Sequence, residues 1–304
     1  MRILLIGAAG QVGTDLLPVL RAQAEVVPTT RSGELAGVPC MPLDVSDAAA
    51  VNAAVERVRP DVVVNASAYT AVDRAESEPE LADRVNHLAP RAMARACAAS
   101  GARLVHYSTD YVFDGAASHP YSTDDPTAPS GAYGRTKAAG ERAVRAAHPD
   151  ALILRTAWVY SFHGANFLRT MLRLGAERAE LRVVADQVGC PTPSWMIAET
   201  TAELLRKPEL PSGIEHLVTR GRTSWHGFAE AIFEEASGRE LIHRRPRVDP
   251  ITTADYPTPA RRPAWSVLDP TGLERLLDRP LPDWRAALAE TFRRAVKAGA
   301  QEMR

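Results

Sequence analysis

The sequence predicts an α/β protein whose core is a doubly wound parallel sheet, with a smaller C-terminal lobe interleaved with that sheet. Short apolar runs alternate with amphipathic helical patterns through the first half of the chain, and this alternation is typical of successive βαβ units. A glycine-rich turn also joins the first apolar run directly to the helix that follows it. Together these features indicate parallel strands joined by helical crossovers.

The composition is that of an ordinary globular protein. The chain has 304 residues, a net charge of −1, 45% apolar residues and 24% charged residues, which gives no reason to expect nucleic acid or an anionic membrane as a partner. Cys40, Cys97 and Cys190 lie far apart, so we expect a reducing, cytoplasmic location and neither a disulfide framework nor a zinc site. The first apolar run is too short for a signal peptide, and no window is long enough to span a membrane.

The first strand is predicted at residues 2–6, where a continuous apolar run ends in glycine. Gly7, Gly10 and Gly13 follow it and lead into an amphipathic helix over about 11–22. Glycines at such a turn let backbone N–H groups approach a pyrophosphate, whose charge the helix N-terminus favours. The alternative is an ordinary tight turn between a strand and a helix.

The next two strands carry residues suited to the adenosine end of a dinucleotide. Arg31 comes just after a strand over 25–30, where a basic residue suits the 2′-phosphate of NADP and an acidic one suits NAD. Residues 43–45 end a short third strand, and Asp44 among them could accept a hydrogen bond from an adenine amino group. It could equally cap the helix predicted over 48–58.

Three further strands are predicted before residue 156. The fourth ends in the small-residue stretch Ala66–Thr70, and the fifth leads into Ser108 and Thr109. Small residues at the carboxyl end of a strand leave room for a ligand there. The elements are strands over 61–65, 103–107 and 151–155, a helix over 81–100 that carries Asn86, and a polar, proline-containing loop over 114–131.

Tyr133 and Lys137 lie four residues apart in a helix predicted to run to about residue 148. This spacing puts the phenol and the ammonium on one face of the helix. A nearby cation lowers a phenol pKa, so we expect the pair to exchange a proton near neutral pH. The alternative is that the two residues form an accidental pair on a solvated helix and have no function.

Strands and helices alternate less regularly in the second half of the chain, which is predicted to form the smaller lobe. We divide the chain into residues 1–156, mainly a nucleotide-binding domain, and residues 157–304, mainly a substrate-binding lobe with segments that return to the sheet. The predicted elements are helices over 165–174, 194–205, 225–236 and 284–298, strands over 181–184 and 214–218, and a loop over 244–263.

Several stretches resemble one known family. The glycine turn and the Tyr-x-x-x-Lys pair are similar to the signatures of the extended short-chain dehydrogenases/reductases, which have a Rossmann-type sheet. Within them, the chain resembles the dTDP-4-dehydrorhamnose reductases over about residues 1–292. The stretches that carry this closer resemblance are 10–13, 65–76, 108–113, 155–160, 166–172, 186–192 and 256–263.

This resemblance implies the reduction of the C4 keto group of dTDP-4-dehydro-L-rhamnose by NADPH, which gives dTDP-L-rhamnose. It implies that Tyr133 is the general acid, that Lys137 holds the nicotinamide ribose and lowers the pKa of Tyr133, and that Thr109 hydrogen-bonds the C4 oxygen. It also implies that Asp110 and Trp158 contact the sugar nucleotide, as Thr109 and Tyr133 do.

With the glycine turn and the strand ends, the resemblance gives a set of expected cofactor contacts. They are Gly7, Gly10, Gln11, Val12, Gly13, Arg31, Asp44, Val45, Ala68, Tyr69, Thr70, Tyr107, Tyr133 and Lys137.

Two departures from the family pattern lead to further expectations. Arg31 stands where some members have an acidic residue, so NADPH should be preferred, with some use of NADH. Trp195 stands at one of the positions where some members place acidic side chains that bind magnesium at a dimer interface. We therefore expect no metal and a monomer or weak homodimer.

Other interpretations of the same residues remain open. The chain could act on another nucleotide-linked 4-keto-6-deoxy sugar, as a reductase or an epimerase, because the pocket rather than the fold sets that choice. It could also be a non-catalytic, NADP-binding regulatory subunit similar to the β subunit of methionine adenosyltransferase. Thr109 could simply cap a turn, and Trp158 could be a core aromatic residue between the lobes.

Overall fold

The core of the protein is a parallel sheet of seven strands, which lie side by side in the order Gly213–His216, Leu152–Thr156, Arg103–Thr109, Val62–Asn65, Arg2–Ile6, Glu25–Thr30 and Met41–Pro42. The computed structural model describes residues 1–299. The strands are β1 Arg2–Ile6, β2 Glu25–Thr30, β3 Met41–Pro42, β4 Val62–Asn65, β5 Arg103–Thr109, β6 Leu152–Thr156, β7 Val159–Tyr160, β8 Glu180–Val184, β9 Val188–Gly189, β10 Thr192–Pro193, β11 Gly213–His216, β12 Thr223–Ser224 and β13 Arg247–Ile251.

Helices cover both faces of this sheet. They are α1 Gln11–Arg21, α2 Ala48–Val58, α3 Val72–Ala75, α4 Pro79–Asp83, α5 Ala89–Ser100, α6 Ala132–Ala147, α7 Phe167–Glu177, α8 Ser194–Leu205, α9 Trp225–Gly238, α10 Thr271–Leu277 and α11 Trp284–Lys297. α1 packs on α8, whereas α5 packs on both α2 and α6. Alternate residues of β1 divide between the two layers, because Ile3 and Leu5 join one apolar cluster and Leu4 and Ile6 the other.

The order of the strands reverses at β1. β2 and β3 extend the sheet on one side of β1, and β4, β5 and β6 extend it on the other. In open α/β sheets, ligands bind at such a switch point, outside the carboxyl ends of the strands. The segments that follow β1, β4, β5 and β6 therefore lie along one edge, which is where the sequence places its candidate residues.

The C-terminal part of the chain forms a smaller lobe that is interleaved with the sheet. β8 and β13 pair in parallel, and the apolar cluster of this lobe includes the fully buried Phe228, Phe233 and Phe292. Gly213–His216 returns to the main sheet and pairs with Leu152–Thr156. The predicted fold class is confirmed, and the division of the chain at residue 156 stays a prediction.

The prediction of a loop over 244–263 is wrong in part, because the strand β13 Arg247–Ile251 lies within that range. This strand contains a proline and has only one strand neighbour, and half-exposed strands of this kind give little periodicity in the sequence. The third strand also ends at Pro42, before its predicted end at residues 43–45.

Asp44 does not cap the helix that follows it. Asp47 does so, because its Oδ1 accepts a hydrogen bond from the backbone N–H of Ala49 at 2.8 Å. Asp44 instead accepts from the backbone and hydroxyl of Ser46 at 2.9 and 2.8 Å. The helical run predicted over 81–100 begins at Pro79 and includes a π-helical turn at Arg84–Leu88.

Candidate active site at the carboxyl edge of the sheet

The glycine turn after β1 is shaped for a close backbone approach. Gly7 has φ of +84°, and a Cβ atom there would lie 2.8 Å from the backbone nitrogen of Ser67 in the turn after β4. A Cβ on Gly13 would collide with the carbonyl oxygen of Gly7. Gly10 begins α1 without a side-chain cap, so the first N–H groups of this helix are available to a ligand. These features fit the pyrophosphate of a dinucleotide.

The edge of the crevice beyond β2 and β3, here called the rim, carries Asp44 and the basic side chains of Arg31 and Arg84. Asp44 is exposed, and the N–H of Ser46, together with the charges of Arg31 and Arg84, holds its pKa below the usual value. Val45, Ser46 and Arg84 line a cleft of about 230 Å³. The sequence prediction includes Arg31, Asp44 and Val45 but omits Arg84, because Arg84 lies on a helical segment distant in sequence that only the folded chain brings to this rim.

The turn after β4, which holds Ala68, Tyr69 and Thr70, is fixed by one buried amide. Asn86 accepts a hydrogen bond from the backbone N–H of Tyr69 at 2.9 Å and donates to its carbonyl oxygen at 3.0 Å. The same amide donates to the hydroxyl of Thr136, on α6, at 3.3 Å. Asn86 therefore joins the turn to the helix that carries the tyrosine–lysine pair.

Lys137 is 2% exposed and lies against the end of β5. Its Nζ donates a hydrogen bond to the carbonyl oxygen of Tyr107 at 2.6 Å. Burial lowers the pKa of Lys137 to about 8, and Glu141 opposes this shift. The side chain of Tyr107 is turned away from this point, because its hydroxyl lies 2.7 Å from the hydroxyl of Thr201 on α8. Tyr107 thus presents only its backbone on the side of Lys137.

Tyr133 is half-buried and packs edge-on against Tyr111, with ring centroids 5.6 Å apart. Burial raises the pKa of Tyr133 to about 12, and the nearby hydroxyl of Thr109 works in the opposite direction. The expectation of a lowered pKa is therefore wrong for the protein alone. The sequence spacing places Lys137 one helical turn from Tyr133, but it does not show that Tyr133 is buried. Burial has the largest effect on the pKa of Tyr133.

The helix α6 is held in register by two glycines. A Cβ on Gly134 would collide with the carbonyl oxygen of Tyr111, and a Cβ on Gly140 would collide with that of Asn86. The helix backbone therefore touches neighbouring backbone on both sides of Lys137. This contact fixes the height of Tyr133 and Lys137 above the sheet.

Thr109 and Asp110 are buried at the end of β5. The hydroxyl of Thr109 donates to Asp110 Oδ1 at 3.0 Å and accepts from the backbone N–H of Tyr111 at 3.2 Å. The turn-capping role of Thr109 uses its oxygen, and its single hydrogen is directed at Asp110, so a catalytic role would require the hydroxyl to turn away from that carboxylate. Burial raises the pKa of Asp110 to about 6, and its Oδ2 has no hydrogen-bond partner among residues 1–299.

Trp158 is half-buried and stacks on Trp225, with ring centroids 3.5 Å apart and an interplanar angle of 3°. Its φ of +46° is strained for a side chain of this size. Gly189 leaves room for the indole, because a Cβ there would lie 2.5 Å from the ring. Strain at a non-glycine residue is concentrated at functional sites, so Trp158 differs from an ordinary core aromatic residue.

Gln11 connects the glycine turn to the segment that follows β7. Its Oε1 accepts from Asn166 Nδ2 at 2.8 Å and from the hydroxyl of Ser161 at 3.3 Å. Its backbone oxygen lies 3.0 Å from His163 Nε2. Gln11 and Val12 are both half-buried. The sequence pattern identifies Gln11 but gives no signal for these partners, which lie more than 140 residues away.

A buried ion pair lies beneath α6. Arg155 Nη2 and Nε donate to the two carboxylate oxygens of Glu141 at 2.7 and 2.9 Å, and both side chains are almost fully buried. The pair joins α6 to β6. No pattern in the sequence predicts it, because the two residues meet only when β6 takes its place beside β5.

Two features are absent from residues 1–299, a membrane-spanning helix and a metal-binding cluster. None of the helices there combines the length and the apolar character needed to cross a membrane. No group of three or more His, Cys, Asp or Glu side chains in that range could hold a metal ion.

Comparison with known proteins identifies the family. A family model described as the RmlD substrate binding domain matches residues 1–297. A dTDP-4-dehydrorhamnose reductase of Burkholderia thailandensis is 46% identical over 95% of this chain and 97% of its own length. The corresponding protein of Salmonella typhimurium is 43% identical over 93% of this chain and 94% of its own length.

Solved structures agree with the sequence relatives. A dTDP-4-dehydrorhamnose reductase of Bacillus anthracis, in complex with NADP, has a TM-score of 0.88 and 34% identity over 96% of this chain and 99% of its own. One from Clostridium acetobutylicum has a TM-score of 0.88 and 37% identity over 97% of this chain and 100% of its own. The chain belongs to the RmlD family, the family of the dTDP-4-dehydrorhamnose reductases.

Proposed function

We propose that the chain is an NADPH-dependent dTDP-4-dehydrorhamnose reductase. It reduces the C4 keto group of dTDP-4-dehydro-β-L-rhamnose to give dTDP-L-rhamnose, a step of dTDP-rhamnose biosynthesis. The observation that carries this proposal is the meeting of Thr109, Tyr133 and Lys137 at the sheet edge that also bears the glycine turn, in a chain of this family.

The cofactor, when bound, supplies the hydride. The glycine turn and the start of α1 would hold its pyrophosphate, and Arg31 would face a 2′-phosphate. Asp44 and Val45 would line the adenine, while Ala68, Tyr69 and Thr70 would follow the cofactor across the turn after β4. Arg31 favours NADPH, and its exposed position allows NADH to be used less well.

Tyr133 is the proton donor. A phenol with its pKa raised to about 12 is fully protonated at neutral pH, so it can give its proton to the C4 oxygen as negative charge develops there. The Thr109 hydroxyl would turn from Asp110 toward the substrate and add a second donor to the same oxygen. The buried ammonium of Lys137 favours the phenolate that Tyr133 leaves behind and would hold the ribose hydroxyls.

Residues 157–304 form most of the side that binds the sugar nucleotide. Asp110 and Trp158 are the proposed contacts, and Trp158 is already fixed by its stacking on Trp225. We further propose a cytoplasmic enzyme, monomeric or weakly dimeric and without a bound metal. All three cysteines are free thiols, which suits a reducing compartment.

The test is NADPH oxidation by the full chain after dTDP-4-dehydro-L-rhamnose is added, with the product identified by its mass and by NMR. We expect dTDP-L-rhamnose and a higher kcat/KM with NADPH than with NADH. Turnover only with a different 4-keto sugar nucleotide would favour the alternative substrate. No turnover, with NADP bound and a partner enzyme co-purified, would favour a regulatory subunit.

A further inference from the structure

A chain of buried polar groups runs from the end of β4 to the amino group of Lys137. Asn65, His106 and Lys137 are 1%, 0% and 2% exposed. Asn65 Nδ2 lies 3.0 Å from His106 Nδ1, and His106 Nε2 lies 3.5 Å from Lys137 Nζ. Asn65 and His106 are paired in register across β4 and β5. Neither residue is among the catalytic or cofactor residues described above.

The orientation of the Asn65 amide is fixed on its other side. The backbone N–H of Ser67 donates to Asn65 Oδ1 at 3.0 Å, and the Ser67 hydroxyl donates to the same atom at 2.6 Å. A backbone N–H can only donate, so the oxygen of the amide must face Ser67. The NH₂ group of Asn65 therefore faces His106.

This orientation decides which nitrogen of His106 carries the proton. Nδ1 accepts a hydrogen bond from the Asn65 amide, so it must be unprotonated. Burial, together with the charge of Lys137, holds the pKa of His106 well below its usual value, so the ring is neutral. A neutral imidazole carries one proton, which must then be on Nε2, the atom that faces Lys137.

An N–H group thus faces the amino group of Lys137. Lys137 already donates to the carbonyl oxygen of Tyr107 at 2.6 Å, whereas its distance of 3.5 Å to His106 Nε2 is long for a hydrogen bond. An ammonium group has no lone pair and cannot accept from Nε2–H. A neutral amine has one lone pair and can.

We propose that Asn65 and His106 are positioning residues for Lys137, which present a fixed N–H to its amino group and favour the neutral amine over the ammonium. This inference deepens the proposed reductase function, because it makes Lys137 able to exchange a proton near neutral pH. The titratable groups around the amine are Tyr133 and Glu141 on its own helix and His106 on β5. The charge of Glu141 is balanced by Arg155 on β6.

The proton affinity of Lys137 can be measured directly, because the chain has only three lysines, Lys137, Lys207 and Lys297. NMR titration of the full chain, labelled with ¹³C-lysine and saturated with NADP⁺, should show one lysine with a low pKa. The assignment comes from Lys137→Met. In parallel, ¹⁵N-histidine spectra should show His106, assigned with His106→Gln, as a neutral ring with its proton on Nε2. A proton on Nδ1 would overturn the proposal.

The decisive variant is Asn65→Asp, which keeps the shape of the side chain but replaces the donor to His106 with an acceptor. The His106 proton should move to Nδ1, so that Nε2 accepts from the ammonium, and the pKa of Lys137 should rise by about one pH unit or more. Asn86→Asp is the charge control, because it adds a carboxylate near α6 without contact to His106. An equal rise in both variants, or none in Asn65→Asp, would overturn the proposal.

The kinetic readout separates this inference from the proposed function. The alkaline limb of the kcat profile should move to higher pH in Asn65→Asp, whereas a purely structural role would lower kcat evenly at all pH values. If the wild-type chain does not reduce the dTDP-sugar at all, the proposed function fails. The two NMR titrations still decide the role of Asn65 and His106 in that case.

Discussion

The two ends of the candidate cofactor crevice differ in their exposure. At the adenosine end, Arg31 and Asp44 are exposed side chains on the rim. At the reacting end, Thr109 and Lys137 are buried, and Tyr133 is half-buried. Burial at the reacting end moves the pKa of Tyr133 up to about 12 and that of Lys137 down to about 8. At the rim, hydrogen bonds from the backbone N–H and the hydroxyl of Ser46 lower the pKa of Asp44.

This difference shows that the two ends use charge in different ways. A rim arginine interacts with a phosphate through water-screened attraction, which sets preference but contributes modestly. A buried ammonium or phenol acts where screening is weak, so its environment sets its proton affinity. Changes at the buried end should therefore have large effects that depend on pH, and changes at the rim should have small effects that depend on salt.

The largest effect is expected from Tyr133→Phe. Loss of the proton donor should lower kcat by roughly 10²–10⁴-fold, while NADPH binding changes little because the ring and its packing on Tyr111 remain. Steady-state kinetics and a fluorescence titration with NADPH check the two parts. Tyr107→Phe is the matched control, since it removes a buried hydroxyl that bonds Thr201 instead. Activity that survives in Tyr133→Phe would mean that another group is the acid.

The next effect is on stability and comes from the ion pair beneath α6. Glu141→Gln leaves the buried guanidinium of Arg155 without its counter-charge, which should cost about 3–5 kcal/mol of the free energy of unfolding. Urea denaturation measures this. Glu177→Gln breaks the exposed pair with Arg173 and should cost less than about 1 kcal/mol. Equal costs for the two variants would show that the buried pair of Glu141 and Arg155 is no more sensitive to loss of its charge than the exposed pair of Glu177 and Arg173.

Lys137→Met should abolish most turnover and yet make the protein more stable near pH 7. The pKa of Lys137 falls from 10.5 to about 8 on folding, so the folded state binds fewer protons than the unfolded state between these values. The stability of the wild type therefore rises with pH across that window, and burial of the ammonium costs stability below it.

The advantage of Lys137→Met should be about 1–3 kcal/mol below pH 8 and should shrink as pH approaches 10.5. Denaturation curves at several pH values check this. Lys207→Met is the control and should show no such dependence, because Lys207 lies in the partly exposed turn just past α8. A variant that is less stable than the wild type at every pH would contradict the prediction.

The smallest effect is expected at the rim. Arg31→Ser should reduce the ratio of kcat/KM for NADPH to that for NADH by about tenfold, because an exposed charge pair contributes little more than about 1 kcal/mol. The ratio for the wild type should also fall as salt is added. Arg57→Ser, on the far end of α2, controls for net charge. A wild-type preference for NADH would reverse the assignment of Arg31.

Much of the sheet and of the rim could be predicted because their signals are local. The run at residues 2–6, followed by Gly7, gives strand and turn together, and Arg31 follows a strand end directly. The helix spacing likewise pairs Tyr133 with Lys137. Each of these features can be predicted from a window of a few residues.

The remaining features depend on contacts between distant segments. The direction of the pKa shift of Tyr133 follows from its burial, and the proton position on His106 follows from its pairing with Asn65 across two strands. The sequence gives Asn65 and His106 but not the distance between them. Arg247–Ile251 shows the same limit, because this proline-containing strand exists only through its pairing with Glu180–Val184.

The two glycines of α6 also determine how far this protein can change. Since Gly134 and Gly140 leave no room for even a methyl group against Tyr111 and Asn86, the helix has a single position on the sheet. Mutational libraries should find these two positions intolerant, although neither is among the proposed binding residues. Redesign of the proposed substrate contact at Trp158 should therefore leave Gly134 and Gly140 unchanged, because they hold the helix that carries Tyr133.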